Sequence, residues 1–140
     1  MNLQILVVED NPADVELLRR AMCEAELDFE LTVVDDGAEA LALVRDGTRM
    51  ARFVLAILDL NLPKHGGLEV LEAIRSSPFI SKLPVIVLSS SSSPRERVRI
   101  EQLGTARQIV KPADLDEFMR IGAQVKAVLA EGKAHGKSAG

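Results

Sequence analysis

The chain has 140 residues, 47% apolar and 27% charged, with a formal net charge of −4 at pH 7, which fits one globular domain able to bury its own core and argues against wholesale disorder. The acidic balance also argues against a nucleic-acid surface, since the one basic grouping, Arg95, Arg97 and Arg99, is interleaved with Glu96 and Glu101 and reads as a solvated helix face. No segment is apolar for the length of a membrane helix, no charged leader precedes the first apolar run, and a single cysteine cannot close an intramolecular disulfide, so a cytoplasmic protein is expected, with Cys23 as a packing residue.

Leu3 to Val8 is a continuous apolar run of strand length, and Asn11 with Pro12 then marks a helix start, because asparagine caps and proline at the first helical position loses no hydrogen bond. Val15, Leu18, Met22 and Ala25 give that helix its inward stripe. Phe29 to Val34 is the second strand. Asp36 followed by Glu39 resembles a capping box and starts a helix through about Arg45, ended by Asp46 and Gly47. Phe53 to Leu58 is the third strand, the loop NLPKHGG follows, and Leu68, Leu71 and Ile74 face the next helix inward. Pro84 opens a strand over Val85 to Leu88. The five serines after it are bracketed too tightly for a linker, since Ser93, Pro94 and Glu96 supply the cap, first-turn proline and box partner of another helix. Ile109 and Val110 are the visible part of a short last strand. Asp114 and Glu117 start the final helix, with Leu115, Phe118, Met119, Gly122, Val125 and Leu129 as its core stripe. The folded domain is expected over residues 1–131, with 132–140 as a disordered tail, because EGKAHGKSAG has no apolar periodicity. No further domain is expected.

Alternation of strand and helix predicts a parallel sheet covered on both faces, because parallel neighbours need crossover helices. The expected fold is a three-layer α/β/α sandwich. In such folds the carboxyl ends of the strands open onto one crevice. Glu9 and Asp10 follow the first strand, Asp59 the third, Ser89 the fourth and Lys111 the fifth. Three carboxylates are hard oxygen ligands suited to magnesium, and crowding them is unfavourable unless a cation neutralises them. A metal there would let one carboxylate accept a phosphoryl group, with Lys111 as a point charge and the Ser89 hydroxyl as a donor to its oxygens. No general base is required for transfer to an ionised carboxylate. Zinc has no ligand set: there is no CxxC or HExxH, and His65 and His135 fall in a predicted loop and in the tail.

Each residue alone has a plainer reading. Glu9 and Asp10 could favour a helix N-terminus through its dipole, Asp59 could be a solvated loop acid, Ser89 one of five loop serines and Lys111 a surface charge. Together they gain weight, because four separate strand ends carry suitable groups.

VVEDN at 7–11, ILDLNLP at 57–63, VLSS at 87–90 and IVKP at 109–112, in this order and spacing, resemble the motifs of the response-regulator receiver domain of two-component signalling, over about residues 3–130. The resemblance implies a flavodoxin-like five-stranded parallel sheet in the order 2-1-3-4-5. It implies Asp59 as phosphoacceptor, Glu9, Asp10 and Asp59 with the Asn61 backbone carbonyl as ligands for Mg2+ or Mn2+, Ser89 as switch hydroxyl, and Lys111 as phosphoryl partner. The Lys111 to Pro112 peptide would be cis in that pattern. The partner implied is a sensor histidine kinase donating from phosphohistidine, and EDNPAD, DLNLPK and the serine-rich loop resemble stand-alone receivers paired with phytochrome kinases. Such a receiver phosphorylates itself and is not a turnover enzyme.

Departures concern output. Receivers commonly carry an aromatic residue three positions before the lysine, where this chain has Gln108; Thr105 and Arg107 are larger or more polar than usual, and Gly66 stands where an acid often precedes the loop glycine. Output is therefore expected through the serine loop and the last two helices without a rotating ring. Ile121 and Val128 lie beside the core stripe of the final helix and suggest a homodimer seam, or packing under a neighbouring loop. A phosphatase of the haloacid dehalogenase type would need a second aspartate where Asn61 stands. A degenerate receiver acting as a binding scaffold, and a phosphorelay or phosphate-sink intermediate, remain as alternatives. No nucleic-acid or membrane partner is expected.

Overall fold

The computed structural model describes residues 2–139 apart from 63–65 and 91–92, with side chains described as far as Glu131. Parts of the NLPKHGG loop and of the serine stretch, and the side chain of His135, thus lie outside the described residues. The strands are β1 (Leu3–Val8), β2 (Phe29–Val34), β3 (Leu55–Asp59), β4 (Val85–Ser89) and β5 (Arg107–Val110), and the helices are α1 (Pro12–Glu24), α2 (Gly37–Val44), α3 (Gly47–Met50), α4 (Gly67–Ser76), α5 (Pro94–Leu103) and α6 (Leu115–Ala139). All four strand pairings are parallel, in the order β2-β1-β3-β4-β5. This is the expected doubly wound topology.

Local chemistry sets most boundaries. The Asn11 side chain accepts from the Ala13 N–H and Pro12 opens α1; Asp36 accepts from the Glu39 N–H at α2; Ser93 and Glu96 close a reciprocal capping box at α5. The single turn α3 was not expected. Asp46, read as a helix end, instead caps it by accepting from the Arg49 N–H at 3.2 Å.

Two apolar layers sandwich the sheet. Leu6, Val8, Ala56, Leu58, Val85 and Val87 meet α2, α4 and α5 on one face, and Ile5, Val7, Leu55, Ile57, Ile86 and Leu88 meet α1 and α6 on the other. Every residue of β3 and β4 is buried, as continuous apolar runs require in a sheet covered on both sides. Gly122 belongs to the same logic: a Cβ there would collide with the Ala21 carbonyl oxygen and lie 2.7 Å from its carbon, so α6 crosses α1 almost backbone to backbone.

Two expectations are corrected. Ile121 and Val128 are 1% and 2% exposed and belong to the core with Phe118 and Val125, whereas Leu115 in the first turn is 53% exposed; the spacing 118, 121, 125, 128 is the true stripe, so the two residues read as a dimer seam pack within their own chain. Cys23 is exposed, because it lies one position, about 100° of helix, past buried Met22. The backbone of α6 runs on to Ala139.

Candidate phosphoacceptor and metal site

Strand register brings the predicted residues to one edge. Glu9 follows β1 and its N–H donates to the Val34 carbonyl at 2.9 Å, which holds the residue against β2. Asp59 is the last residue of β3 and Ser89 the last of β4, one step beyond the Asp59 and Leu88 pairing. The Lys111 N–H donates to the Ser89 carbonyl at 2.7 Å, which fixes where the lysine side chain leaves β5. Glu9, Asp59 and Ser89 are all buried polar side chains, 2%, 3% and 6% exposed. The backbone has no cis peptide bond among the described residues, so the Lys111 to Pro112 bond is trans, which corrects the expected cis bond; trans is the lower-energy isomer even before proline.

Lys111 is the electrostatic centre. Its Nζ donates to Glu9 Oε1 at 2.6 Å, Asp14 Oδ2 at 2.8 Å and Asp59 Oδ2 at 3.2 Å. The other Asp59 oxygen accepts from the Asn61 N–H at 2.9 Å. The Asn61 side-chain oxygen accepts from Ser90, 3.3 Å from its N and 3.1 Å from its Oγ, linking the acceptor loop to the serine loop. Gln108 is exposed on the edge strand β5, with Val110 on the same face, and takes no part in the pocket.

Burial pushes the Glu9 carboxyl up to about 8, helped by the neighbouring Asp59 carboxylate and opposed by Lys111. Burial also acts to raise Asp59, but its hydrogen bonds with Glu9 and the Asn61 N–H, together with the Lys111 charge, hold it below the ordinary carboxylate range. The two groups thus titrate as a pair, with Asp59 the more readily ionised of the two. Lys111 is raised: burial disfavours its charge, and the bonds to Asp14 and Glu9 overcome that.

The residues fit a divalent cation. Oxygens of Glu9, Asp10 and Asp59 lie within 4.8 Å of one another, a hard-donor set whose repulsion is now relieved by an ammonium and a proton, the kind of compensation a cation supplies. A second acidic group, Asp35, Asp36 and Glu39, lies at the start of α2, where Asp36 is the cap. At the opposite end of the sheet an apolar cavity of about 710 Å³ lies among Leu3, Met50, Phe53, Ile80, Leu83 and Leu129, remote from this chemistry.

Of the expected residues, the structure brings Glu9, Asp10, Asp59 and Lys111 together, and Ser89 stands at the end of the neighbouring strand β4. The sequence reading missed Asp14. The available signal was an acid in the first turn after the acidic pair, which an Asn-Pro cap turns back toward the strand ends.

A family model for the response regulator receiver domain matches residues 5–121. Response regulator Rcp1 of Synechocystis sp. is 32% identical over 120 residues, covering 84% of this chain and 82% of that protein. The crystal structure of the phosphorylated cyanobacterial phytochrome response regulator RcpA superposes with a TM-score of 0.80 at 35% identity, over 90% of this chain and 92% of that one. The Mn2+-bound form of Rcp1 gives 0.78 at 30%, over 89% and 92%. Some other curated relatives are longer, and the chain spans about half their length. No helix among the described residues is long and apolar enough to cross a membrane. With its motifs on one edge of a 2-1-3-4-5 parallel sheet and a family match over most of its length, the chain belongs to the response regulator receiver domain family.

Proposed function

We propose that this domain, residues 1–131, accepts a phosphoryl group on Asp59 from a phosphohistidine of a sensor histidine kinase and signals through altered protein contacts. The observation that carries the reading is the buried Asp59 sharing the Lys111 ammonium with Glu9 at the carboxyl ends of the strands. An Asp59 carboxylate oxygen attacks phosphorus, the P–N bond to the imidazole breaks, and its electron pair stays on the ring nitrogen. Asn61, through its N–H, holds one Asp59 oxygen and so leaves the other facing Lys111. Lys111 and the Ser89 hydroxyl then hold phosphoryl oxygens. Glu9, Asp10 and Asp59, with the Asn61 carbonyl, would hold Mg2+ or Mn2+, which supplies neutralisation of the oxygens gathered at the transfer site. The Mn2+-bound form of the relative Rcp1 supports a divalent cation in this domain. A phytochrome-type kinase is the donor this reading favours, on the likeness to RcpA.

The test is incubation with a small phosphodonor and Mg2+, followed by intact mass. Wild type should gain one phosphoryl increment and Asp59→Asn none. No increment in wild type would favour a phosphorylation-independent scaffold, and an increment kept in the variant would remove Asp59 as acceptor.

A further inference from the structure

We propose that Asp14 is a positioning residue that draws the Lys111 ammonium away from the metal-binding carboxylates Glu9 and Asp59, and so sets how strongly the pocket takes a divalent cation and a phosphoryl group. The proposal rests on the acceptor-site reading above.

An ammonium has three N–H donors, and at Lys111 all three are spoken for by Glu9, Asp14 and Asp59. Two of those acceptors belong to the cluster of carboxylates close enough to share a cation; Asp14 does not. It is therefore the one partner free to keep Lys111 when oxygens of Glu9 and Asp59 turn to a metal. Its position is fixed by chain geometry: Asn11 caps α1 by accepting from the Ala13 N–H, Pro12 starts the helix, and Asp14 follows within the first turn with its side chain 18% exposed. A carboxylate serving only the helix dipole would turn to the free N–H groups or to water. Here Oδ2 points at Lys111 from 2.8 Å.

Two consequences of opposite sign follow. Without the Asp14 charge, Lys111 rests wholly on Glu9 and Asp59 and competes harder with the cation. Once the cation is bound, the same lysine is no longer shared with Asp14 and bonds a phosphoryl oxygen more firmly. A loss of packing alone would weaken both ligands together.

The experiment measures Mg2+ binding by calorimetry, and beryllofluoride binding by 19F NMR at saturating Mg2+, in wild type, Asp14→Asn, Asp14→Ser and Asp14→Glu. In the two neutral variants the Mg2+ Kd should rise about fivefold and the beryllofluoride Kd should fall by about the same factor, the scale of one partly exposed ion pair. Asp14→Glu, which keeps the charge, should stay within about twofold of wild type. An unchanged or lower Mg2+ Kd in the neutral variants overturns the proposal, as does weakening of both ligands in parallel. If wild type takes neither beryllofluoride nor a phosphoryl mass increment, the acceptor reading fails. The Mg2+ arm still decides Asp14, with weaker binding supporting its role and unchanged binding ending it.

Discussion

Lys111→Met keeps the aliphatic stem and removes the ammonium that three carboxylates share. Two of its partners, Glu9 and Asp59, are almost wholly buried, and the third, Asp14, is 18% exposed. Breaking a buried ion pair by removing one partner costs about 3–5 kcal/mol, because the other charge stays desolvated. Two features lower that figure here: Lys111 is itself 17% exposed, so water reaches the site, and Glu9 can answer by keeping its proton. The expected loss without metal is about 2–3 kcal/mol, which in a domain of this size lowers the thermal midpoint by roughly 10 °C. The loss should be larger at pH 8 than at pH 6, since protonated carboxyls leave less uncompensated charge. Far-UV circular dichroism in EDTA is the assay, as the chain has no Trp or Tyr for fluorescence. Saturating Mg2+ should restore more stability to the variant than to wild type, because a ligand that binds only the folded state stabilises according to its affinity and the variant no longer opposes it with an ammonium. A variant as stable as wild type in EDTA at pH 8, or one gaining no more from Mg2+ than wild type does, would refute the assignment of Lys111 as the neutralising charge.

The remaining expectations concern protonation and backbone fit. Glu9 must lose its proton to bind a cation, so Mg2+ affinity should rise with pH, by up to about tenfold per unit, and level off above about pH 8, with one proton released on binding; calorimetry in buffers of different ionisation enthalpy reads that proton. Without metal the folded chain holds a proton on Glu9 between its ordinary 4.5 and about 8 that the unfolded chain has lost, so this group's contribution to stability falls as pH rises through that window, as urea melts at pH 5 and pH 8 would show. Asp59 acts with the opposite sign: its depressed value stabilises the fold above 3.8, and that gain is lost as pH drops through the folded value. Gly67→Ala would push a Cβ into the Asp59 carbonyl oxygen and within 2.9 Å of its carbon, so a melt should show a loss of about 2–3 kcal/mol and intact mass a reduced phosphoryl yield. Gly122→Ala meets the backbone of Ala21 in the same way and should cost a similar amount, about 2–3 kcal/mol, with phosphoryl yield kept in the folded fraction.

How much of this was legible in the sequence depended on the range of the interaction that decides each feature. Strands such as LAILD and VIVLS declare themselves, because a sheet covered on both faces demands unbroken apolar runs, and the caps at Asn11, Asp36 and Ser93 are local hydrogen bonds written in adjacent residues. The strand-end rule then located Glu9, Asp59, Ser89 and Lys111 without coordinates. Asp14 escaped because its significance is a contact across 97 positions to Lys111. The face of α6 was misjudged because its apolar arc is wide, and only the crossing over α1, with Gly122 against Ala21, decides that Ile121 goes in while Leu115 stays out. β5 was read two residues short, since Arg107 and Gln108 carry no apolar signal and are drawn into the sheet by pairing with Ile86 and Val87.

The same long-range contacts bear on output in a receiver whose Gln108 offers no aromatic ring. α5 is held differently at its two ends. At its C-terminal end Arg75 of α4 donates to the carbonyls of Leu103 and Gly104 and, on its other side, to those of Ser81 and Leu83, at 2.7 to 3.1 Å. One guanidinium therefore ties the exit of α5 to the approach of β4, and Gly104, at φ +79°, turns the chain there into β5. At its N-terminal end, among the described residues, Ser90 bonds to the Asn61 side chain, and the Ser93 and Glu96 box closes on itself. A pull on Ser89 toward a phosphoryl oxygen would act on Ser90 directly and strain its bonds to Asn61, whose own N–H is committed to Asp59. Acceptor, Asn61 and Ser90 thus form one hydrogen-bonded sequence, and the far end of α5 is anchored by Arg75. That arrangement ties Asp59 to Ser90 through Asn61, and position 108, on the exposed face of the edge strand, is not a member of it.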